Sequence, residues 1–156
     1  MAESVKRADV LQRLDERGLA YRELALPSGY TVIVTGHGGR ILGPFDPVRK
    51  QALFWINGAF RDADHFSTCL AEGSPMGGER IWVSPEVQFG VTDRRRFWET
   101  RFVPPSVDPG SYSLVSGDSG IVLLSQEMEL YAYSITVGVK RLFLERRIQP
   151  SADPLR

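Results

Sequence analysis

The segment GGERIWVSPE, at residues 77–86, places a cation, an aromatic ring and a hydroxyl at every second position. In a β-strand, Arg80, Trp82 and Ser84 would share one face, because side chains alternate along a strand. Glu86 follows at the end of the segment. An aromatic ring covers the apolar face of a sugar, while guanidinium and carboxylate groups bond its hydroxyls. The pattern therefore predicts a sugar-binding surface that includes Arg80, Trp82 and Glu86.

A simpler interpretation places Trp82 in the core and pairs Arg80 with a nearby acid. A second glycine turn, GHGGRILGPF at residues 36–45, has the same G-G-(x)-R-I core as GGERI. Two ordinary turns could share this core, since glycine pairs are common in turns. If both turns meet at one end of a sheet, His37 and Asn57 join the predicted surface.

The tetrapeptide GDSG, at residues 117–120, surrounds the nucleophilic serine of trypsin-like proteases. Ile121 stands where those enzymes continue with another glycine, and neither His37 nor His65 lies in a matching segment. A turn that joins two strands explains these residues better than a protease nucleophile does.

Other kinds of site have weaker support. Two histidines and the single Cys69 show no metal-ligand spacing, and no phosphate or dinucleotide motif is present, so we predict no metal and no cofactor. The segment DRRRFWETRF, at residues 93–102, interleaves arginines with aromatic rings as single-strand binders do. The chain has 19 basic and 19 acidic residues, which disfavours nucleic acid and anionic membranes as partners. A strand with one solvated face explains the segment more simply.

Four runs, GHGGRILGPF, ALFWINGAF, GGERIWVSPE and VQFGVT, together resemble the N-terminal half of galactose-mutarotase-like proteins. The similarity is to an uncharacterised branch with a G-G-x-R-x-W-x-x-P-E motif, and Gly58 replaces a proline of that branch. The resemblance extends from about Tyr21 to the end, but only Gly77–Glu86 is specific. It implies an antiparallel β supersandwich that binds a monosaccharide or a similar small molecule. Arg80 is the one sugar-holding residue that the resemblance carries over.

The resemblance implies two alternative functions. The first is non-catalytic carbohydrate binding, and the second is an aldose 1-epimerase-like isomerase, in which a carboxylate and an imidazole act on the anomeric centre. The sequence favours the first, because no late catalytic glutamate can be assigned and neither histidine lies in a recognisable motif. A structural or protein-interaction module is a third hypothesis.

Proteins of that fold are usually much longer, so the resemblance implies a sandwich that is incomplete at the C-terminus. One alternative is a chain that continues past Arg156. The other is a half-sized relative that forms a homodimer through a sheet edge or face. Charges in KRLFLERR, at residues 140–147, would protect such an edge from uncontrolled pairing.

Length and composition predict one domain, with 156 residues of which 42% are hydrophobic. Helical spacing over residues 4–18 predicts an N-terminal helix within residues 1–20, ended by Gly18. Residues 21–156 form the predicted β-sandwich domain, which is mainly β with about eight or more antiparallel strands. Short runs rich in β-branched and aromatic residues are predicted strands, among them QALFWIN, ERIWVSPE, VQFGVT and RRFWETRFV, and the alternation after Gly120 predicts long antiparallel strands. A turn is predicted near residues 137–141. The predicted core contains Tyr131, Ile135, Val137, Trp82 and Phe54.

The predicted location is cytoplasmic. Cys69 has no cysteine partner within the chain, and MAESVKRADVLQRLDERG carries charges where a signal peptide needs an apolar run. No window approaches 18 uninterrupted apolar residues, so we predict no membrane span.

Overall fold

A computed structural model describes residues 4–117 and 120–151. Helix α1, Arg7–Glu16, lies within the predicted N-terminal range. The Asp9 side chain accepts a hydrogen bond from the backbone N–H of Lys6 and so caps its first turn. Val10 and Leu14 are fully buried on one side of the helix, which attaches α1 to the rest of the domain.

The first sheet is an antiparallel meander in the order β1-β2-β3. Its strands are β1, Tyr21–Ala25; β2, Thr31–Thr35; and β3, Ile41–Phe45. The central strand β2 is the most deeply buried, because both of its neighbours pair with it and its β-branched residues face apolar clusters.

Helices and loops fill most of the middle of the chain, where the sequence predicted strands. The α-helices are α2, Ala63–Ala71; α3, Glu86–Phe89; and α4, Phe97–Thr100; 3-10 helices occupy Gly58–Arg61 and Arg94–Arg96. Residues 80–85 form an extended loop, with isolated bridges only at Gly77 and Glu79. The strand predictions for QALFWIN, ERIWVSPE, VQFGVT and RRFWETRFV are therefore wrong.

Side-chain caps account for part of this difference. At the start of the predicted strand RRFWETRFV, the side chain of Asp93 accepts a hydrogen bond from the backbone N–H of Arg95. Asp62 likewise accepts one from the backbone N–H of His65 at the start of α2, where no strand was predicted. Short polar side chains that cap backbone N–H groups stabilise helical turns over strands. The alternation of side chains in RRFWETRFV did not reveal this competition.

The second sheet has the order β4-β5-β6 and is also antiparallel. Its strands are β4, Ser113–Ser116; β5, Val122–Ala132; and β6, Gly138–Ile148. The long hairpin of β5 and β6 turns at residues 133–137, because Ala132 pairs with Gly138. The predicted turn at residues 137–141 is therefore placed too late, and those residues belong mostly to β6.

Three apolar clusters form the core of the described residues. The first packs α1 and α2 against the first sheet. The second joins the two sheets, since Leu24 and Val34 of the first pack with Val122 and Leu124 of the second. The third lies under the β5–β6 hairpin around Phe89.

The predicted core is largely wrong. Four of its five residues are exposed, with relative accessibilities of 47% for Tyr131, 72% for Ile135, 64% for Val137 and 64% for Phe54. Ile135 and Val137 lie in the hairpin loop, and Tyr131 is on the outer face of β5, where it pairs with Val139. Trp82 is half-buried at the margin of the third cluster.

The described chain thus contains two three-stranded antiparallel sheets and several helices, with 35% strand and 24% helix. It has six strands, fewer than the predicted eight, because the middle segments are helical or extended loops. None of the described helices has the length and apolar character needed to cross a membrane.

Candidate functional site around Asp108

Two glycine turns lie side by side in the fold. The turn at residues 36–40 joins β2 to β3, and the turn at residues 77–78 precedes the extended loop. Ile41 and Glu79, the residues that follow these turns, exchange two backbone hydrogen bonds of 2.9 Å. This pairing brings Arg40 and Arg80 to the same carboxylate, that of Asp108.

Arg40 is the buried member of this cluster, with a side chain only 4% exposed. Its Nη1 donates to the carbonyl of Gly77 at 2.9 Å. Its Nη2 donates to both carboxylate oxygens of Asp108, at 2.7 and 2.9 Å. A buried guanidinium requires such partners, because removing a charge from water without compensation is very costly.

Arg80 binds the same carboxylate from the solvent side. Its Nη1 donates to Oδ2 of Asp108, and its side chain remains 36% exposed. The guanidinium carbon lies 4.1 Å from the ring centroid of Trp82, within the range of a cation–π contact. Among the described residues, no other group accepts a hydrogen bond from Nε or Nη2 of Arg80. Two donors of a fixed guanidinium therefore remain available.

The contact with Arg80 also defines what Trp82 can bind. One face of the indole is covered by the guanidinium, and the ring packs against the third apolar cluster. A sugar stacked flat on the covered face would have to displace Arg80. In this structure Trp82 holds the arginine in place.

His37 lies in the first glycine turn and is half-buried. Its carbonyl accepts a hydrogen bond from the hydroxyl of Thr35 at 2.8 Å. Burial lowers the pKa of the imidazole, and the positive charge of Arg40 lowers it further, while Asp108 acts in the opposite direction. The imidazole is therefore mainly neutral at neutral pH.

Tyr112 forms a buried wall of the cluster. A Cβ at Gly39 would lie 2.8 Å from the Tyr112 ring, so only glycine permits this approach of the turn. Burial raises the pKa of the Tyr112 phenol, and the charge of Asp108 raises it further. The phenol is therefore neutral at neutral pH, and its hydroxyl donates to the carbonyl of Val107 at 3.4 Å.

Glu86 and Asn57 have other partners. Glu86 begins α3 and accepts a hydrogen bond from Nε of Arg101 at 3.2 Å. It shares a crevice with Trp82 whose volume, 10 Å³, is about that of one water. Asn57 accepts from the backbone N–H of Ala59 and donates to the carbonyl of Pro75, both at 2.9 Å. Its side chain thus orders the backbone before α2.

The structure brings Arg80 and Trp82 together, places Glu86 beside Trp82, and sets His37 next to the charged cluster. Sequence reasoning missed Arg40 and Asp108. The shared G-G-(x)-R-I core was a signal for Arg40, because it places an arginine within two residues after each glycine pair. Nothing near Asp108 in the sequence indicated its role.

The structure also bears on metal binding and on the GDSG tetrapeptide. Among the described residues, no group of three or more histidine, cysteine, aspartate or glutamate side chains could hold a metal ion. The GDSG tetrapeptide lies between β4 and β5. Its central residues, Asp118 and Ser119, fall outside the described residues.

Searches against protein-family models, curated proteins and solved structures find no match to this chain. The resemblance to galactose-mutarotase-like proteins therefore remains a prediction from the motifs quoted above.

Proposed function

We propose that this protein binds a sugar at the surface around Arg80 and that it does so without catalysis. The observation that carries the proposal is the guanidinium of Arg80, which is fixed by Asp108 and Trp82 while two of its donors remain free of described partners. A donor pair held in one orientation binds vicinal oxygens with little loss of side-chain entropy. Arginine is suited to this role because its donors form a planar fork.

The charge of the cluster favours an acidic sugar. Two guanidiniums, those of Arg40 and Arg80, share the single carboxylate of Asp108. One positive charge is therefore left without compensation in this cluster, on the side where Arg80 reaches solvent. The carboxylate of a uronic acid would complete a bidentate pair with Arg80, which a neutral sugar cannot do.

An aldose-epimerase-like reaction is the alternative, and the half-buried position of His37 beside Arg40 and Asp108, where burial lowers the pKa of the imidazole, is the observation in its favour. Such a reaction needs a second group that moves a proton on the same sugar ring. The carboxylate of Asp108 is bound by two arginines and that of Glu86 by Arg101. Neither carboxylate is free to act as a base, which is why we favour binding without catalysis.

The proposed fold context is a β sandwich of the supersandwich type. The second apolar cluster supports it, because that cluster contains buried residues of both sheets. A hydrogen bond of 2.7 Å from Nε of Arg22 to Ser116 also connects β1 to β4. Sandwich packing would hold the glycine turns at one end of the sheets, where loops commonly form binding sites.

Titration with galacturonate, glucuronate, galactose and glucose, followed by NMR shift changes or calorimetry, tests the proposal. We expect millimolar binding of the uronic acids and weaker binding of the neutral sugars. Arg80→Gln should lower the affinity for a uronic acid by about tenfold or more, because it removes a charge-assisted hydrogen bond. Arg96→Gln is the control, since Arg96 is an exposed arginine paired with Asp93 and Glu99.

Absence of binding by all four sugars would refute the proposal. Equal loss of affinity in both arginine variants would show that only general charge matters. Polarimetry on freshly dissolved galactose separates the alternative, because acceleration of mutarotation that is lost in His37→Gln would identify an isomerase.

A further inference from the structure

Strand β6, Gly138–Ile148, lies at one edge of the second sheet. All eleven of its residues pair with β5 on one side. On its other side no residue of 4–117 or 120–151 forms a strand pair or a bridge with it. A long row of unpaired backbone donors and acceptors is a template for another strand.

The outward face of β6 carries a self-complementary pattern. Five exposed side chains alternate along it: Val139, Arg141, Phe143, Glu145 and Arg147. Phe143 is at the centre and is 63% exposed. Arg141 and Glu145 lie at equal distances on either side of it, with opposite charge. In two copies that run antiparallel, the arginine of each can therefore lie opposite the glutamate of the other.

We propose that a second copy of this chain pairs antiparallel with β6 about a two-fold axis through Phe143. In this register Arg141 of each copy lies opposite Glu145 of the other, and the two Phe143 rings lie opposite each other. Leu142 lies opposite Leu144 on the inner face. Opposite charges and aromatic pairs directly across an antiparallel ladder stabilise it. The second sheets of the two copies, with three strands each, become one continuous sheet of six strands.

Neighbouring registers lack this complementarity. Residues opposite each other across the ladder must point to the same face of the sheet. The two-fold axis must therefore pass through a residue and cannot pass between two residues. An axis through Arg141 or Glu145 places that charge opposite itself, and an axis through Leu144 places Arg141 opposite Arg147. An axis through Leu142 forms no ion pair. An axis through Arg146 places Glu145 opposite Arg147, but it also places Arg146 opposite itself and pairs only residues 144–148 of the strand. The axis through Phe143 is the one that forms two ion pairs while pairing all eleven residues of β6.

The proposed register has one unfavourable kind of pair, Lys140 opposite Arg146, which forms twice on the inner face. Arg146 is already paired with Glu79 of its own chain, which offsets its charge. Arg141 binds Glu129 of its own chain through Nε at 2.7 Å, so its remaining guanidinium nitrogens would bind the second copy. Glu145, in contrast, has no ion-pair partner among the described residues. Pairing between copies would give Glu145 a partner that the single chain does not provide.

Sedimentation equilibrium of charge variants tests the proposal. The unmodified chain should dimerise, and R141E and E145R should each weaken dimerisation by about tenfold or more, because each replaces two ion pairs with like charges. An equimolar mixture of R141E and E145R should restore dimers, since every introduced charge then meets an opposite one. R49E and E72R are the matched controls, because they make the same charge changes at other exposed positions.

A covalent test fixes the register. Phe143→Cys should give a disulfide-linked dimer under mild oxidation, because residues opposite each other across an antiparallel ladder have Cα atoms about 4.5–5.5 Å apart. Val139→Cys should not, since the two copies of that residue lie far from the axis. Circular dichroism melting of each variant checks that it is folded.

Three outcomes would overturn the proposal. The first is a monomer at about 100 μM, well above a micromolar dissociation constant, which would leave the edge to another segment or protein. The second is a dimer that persists in both R141E and E145R. The third is linkage of Val139→Cys in preference to Phe143→Cys, which would show a different register or surface.

Discussion

At the scale of single residues, the cluster depends on how Asp108 divides its carboxylate between two arginines. Arg40 is buried and also binds the carbonyl of Gly77, so it serves the fold. Arg80 is half-exposed, and its Nε and Nη2 have no hydrogen-bond partner in residues 4–117 and 120–151, so a ligand can reach them. Losing one partner of a buried pair leaves an uncompensated charge, which makes Asp108 essential to both roles.

His37 provides a test of this environment through pH. Burial lowers its pKa below the ordinary value of 6.5. The unfolded chain therefore takes up a proton at a higher pH than the folded chain does, and the free energy of unfolding should decrease as the pH falls below about 6.5. Urea denaturation of the unmodified chain and of His37→Gln between pH 7.5 and about pH 5 measures the difference.

The variant should show a flatter dependence on pH over this window. His65→Gln is the control, because His65 is exposed on α2. A slope that His65→Gln reduces as much as His37→Gln does would contradict the assigned environment.

At the scale of elements, the site exists because two glycine turns pack against each other and against the segment that ends at Ile56. Ile56 forms a bridge with Gly77, while Gly78 donates to the carbonyl of Trp55 at 2.9 Å. The close backbone approach leaves no room for a side chain at these positions. The similarity of the two G-G-(x)-R-I segments thus corresponds to two turns that meet.

Gly77→Ala should disrupt this packing. Gly77 has φ +88°, and an added Cβ would lie 2.5 Å from the carbonyl oxygen of Trp55. The left-handed backbone alone costs a residue with a Cβ about 1–2 kcal/mol, and the clash adds to it. Thermal melting should show a larger loss of stability than Gly18→Ala, where φ is +60° but no atom lies within 4 Å.

Equal losses in the two variants would show that only backbone conformation matters at Gly77. Binding of a uronic acid by the Gly77→Ala chain should also weaken if the turn sets the position of Arg80. A variant that keeps full stability would contradict the described contact between the turns.

At the scale of the whole molecule, the two sheets are joined by the second apolar cluster. Leu124 of β5 is fully buried there with Val34 of β2. Side chains that are buried between two sheets couple the stability of one sheet to that of the other, because neither sheet can bury its apolar face alone. The two sheets should therefore unfold together.

Leu124→Ala tests this coupling. Deleting a fully buried leucine side chain should lower the free energy of unfolding by about 2–5 kcal/mol. The neighbouring Leu123→Ala should cost less, since Leu123 is on the outer face and only half-buried. Urea denaturation followed by both far-UV circular dichroism and tryptophan fluorescence should give one coincident transition for each variant. Separate transitions would show that the sheets are independent units.

Local patterns in the sequence determined several features of this protein. The helical spacing before Gly18 predicted α1, and the β-branched runs from Tyr21 predicted the first meander. The strict alternation after Gly120 predicted the long hairpin of β5 and β6. These elements follow from neighbours within a few residues, which is the range over which periodicity carries information.

Only the tertiary structure decided which faces are buried and which charges meet. Tyr131 was assigned to the core because alternation shows that two faces differ without showing which one is covered. The segment after Asp93 became helical because the cap at Asp93 outweighed its alternating pattern. Asp108 lies 68 residues from Arg40 and 28 from Arg80. Contacts over such separations depend on how the whole chain folds, so no local pattern could place that carboxylate between the two arginines.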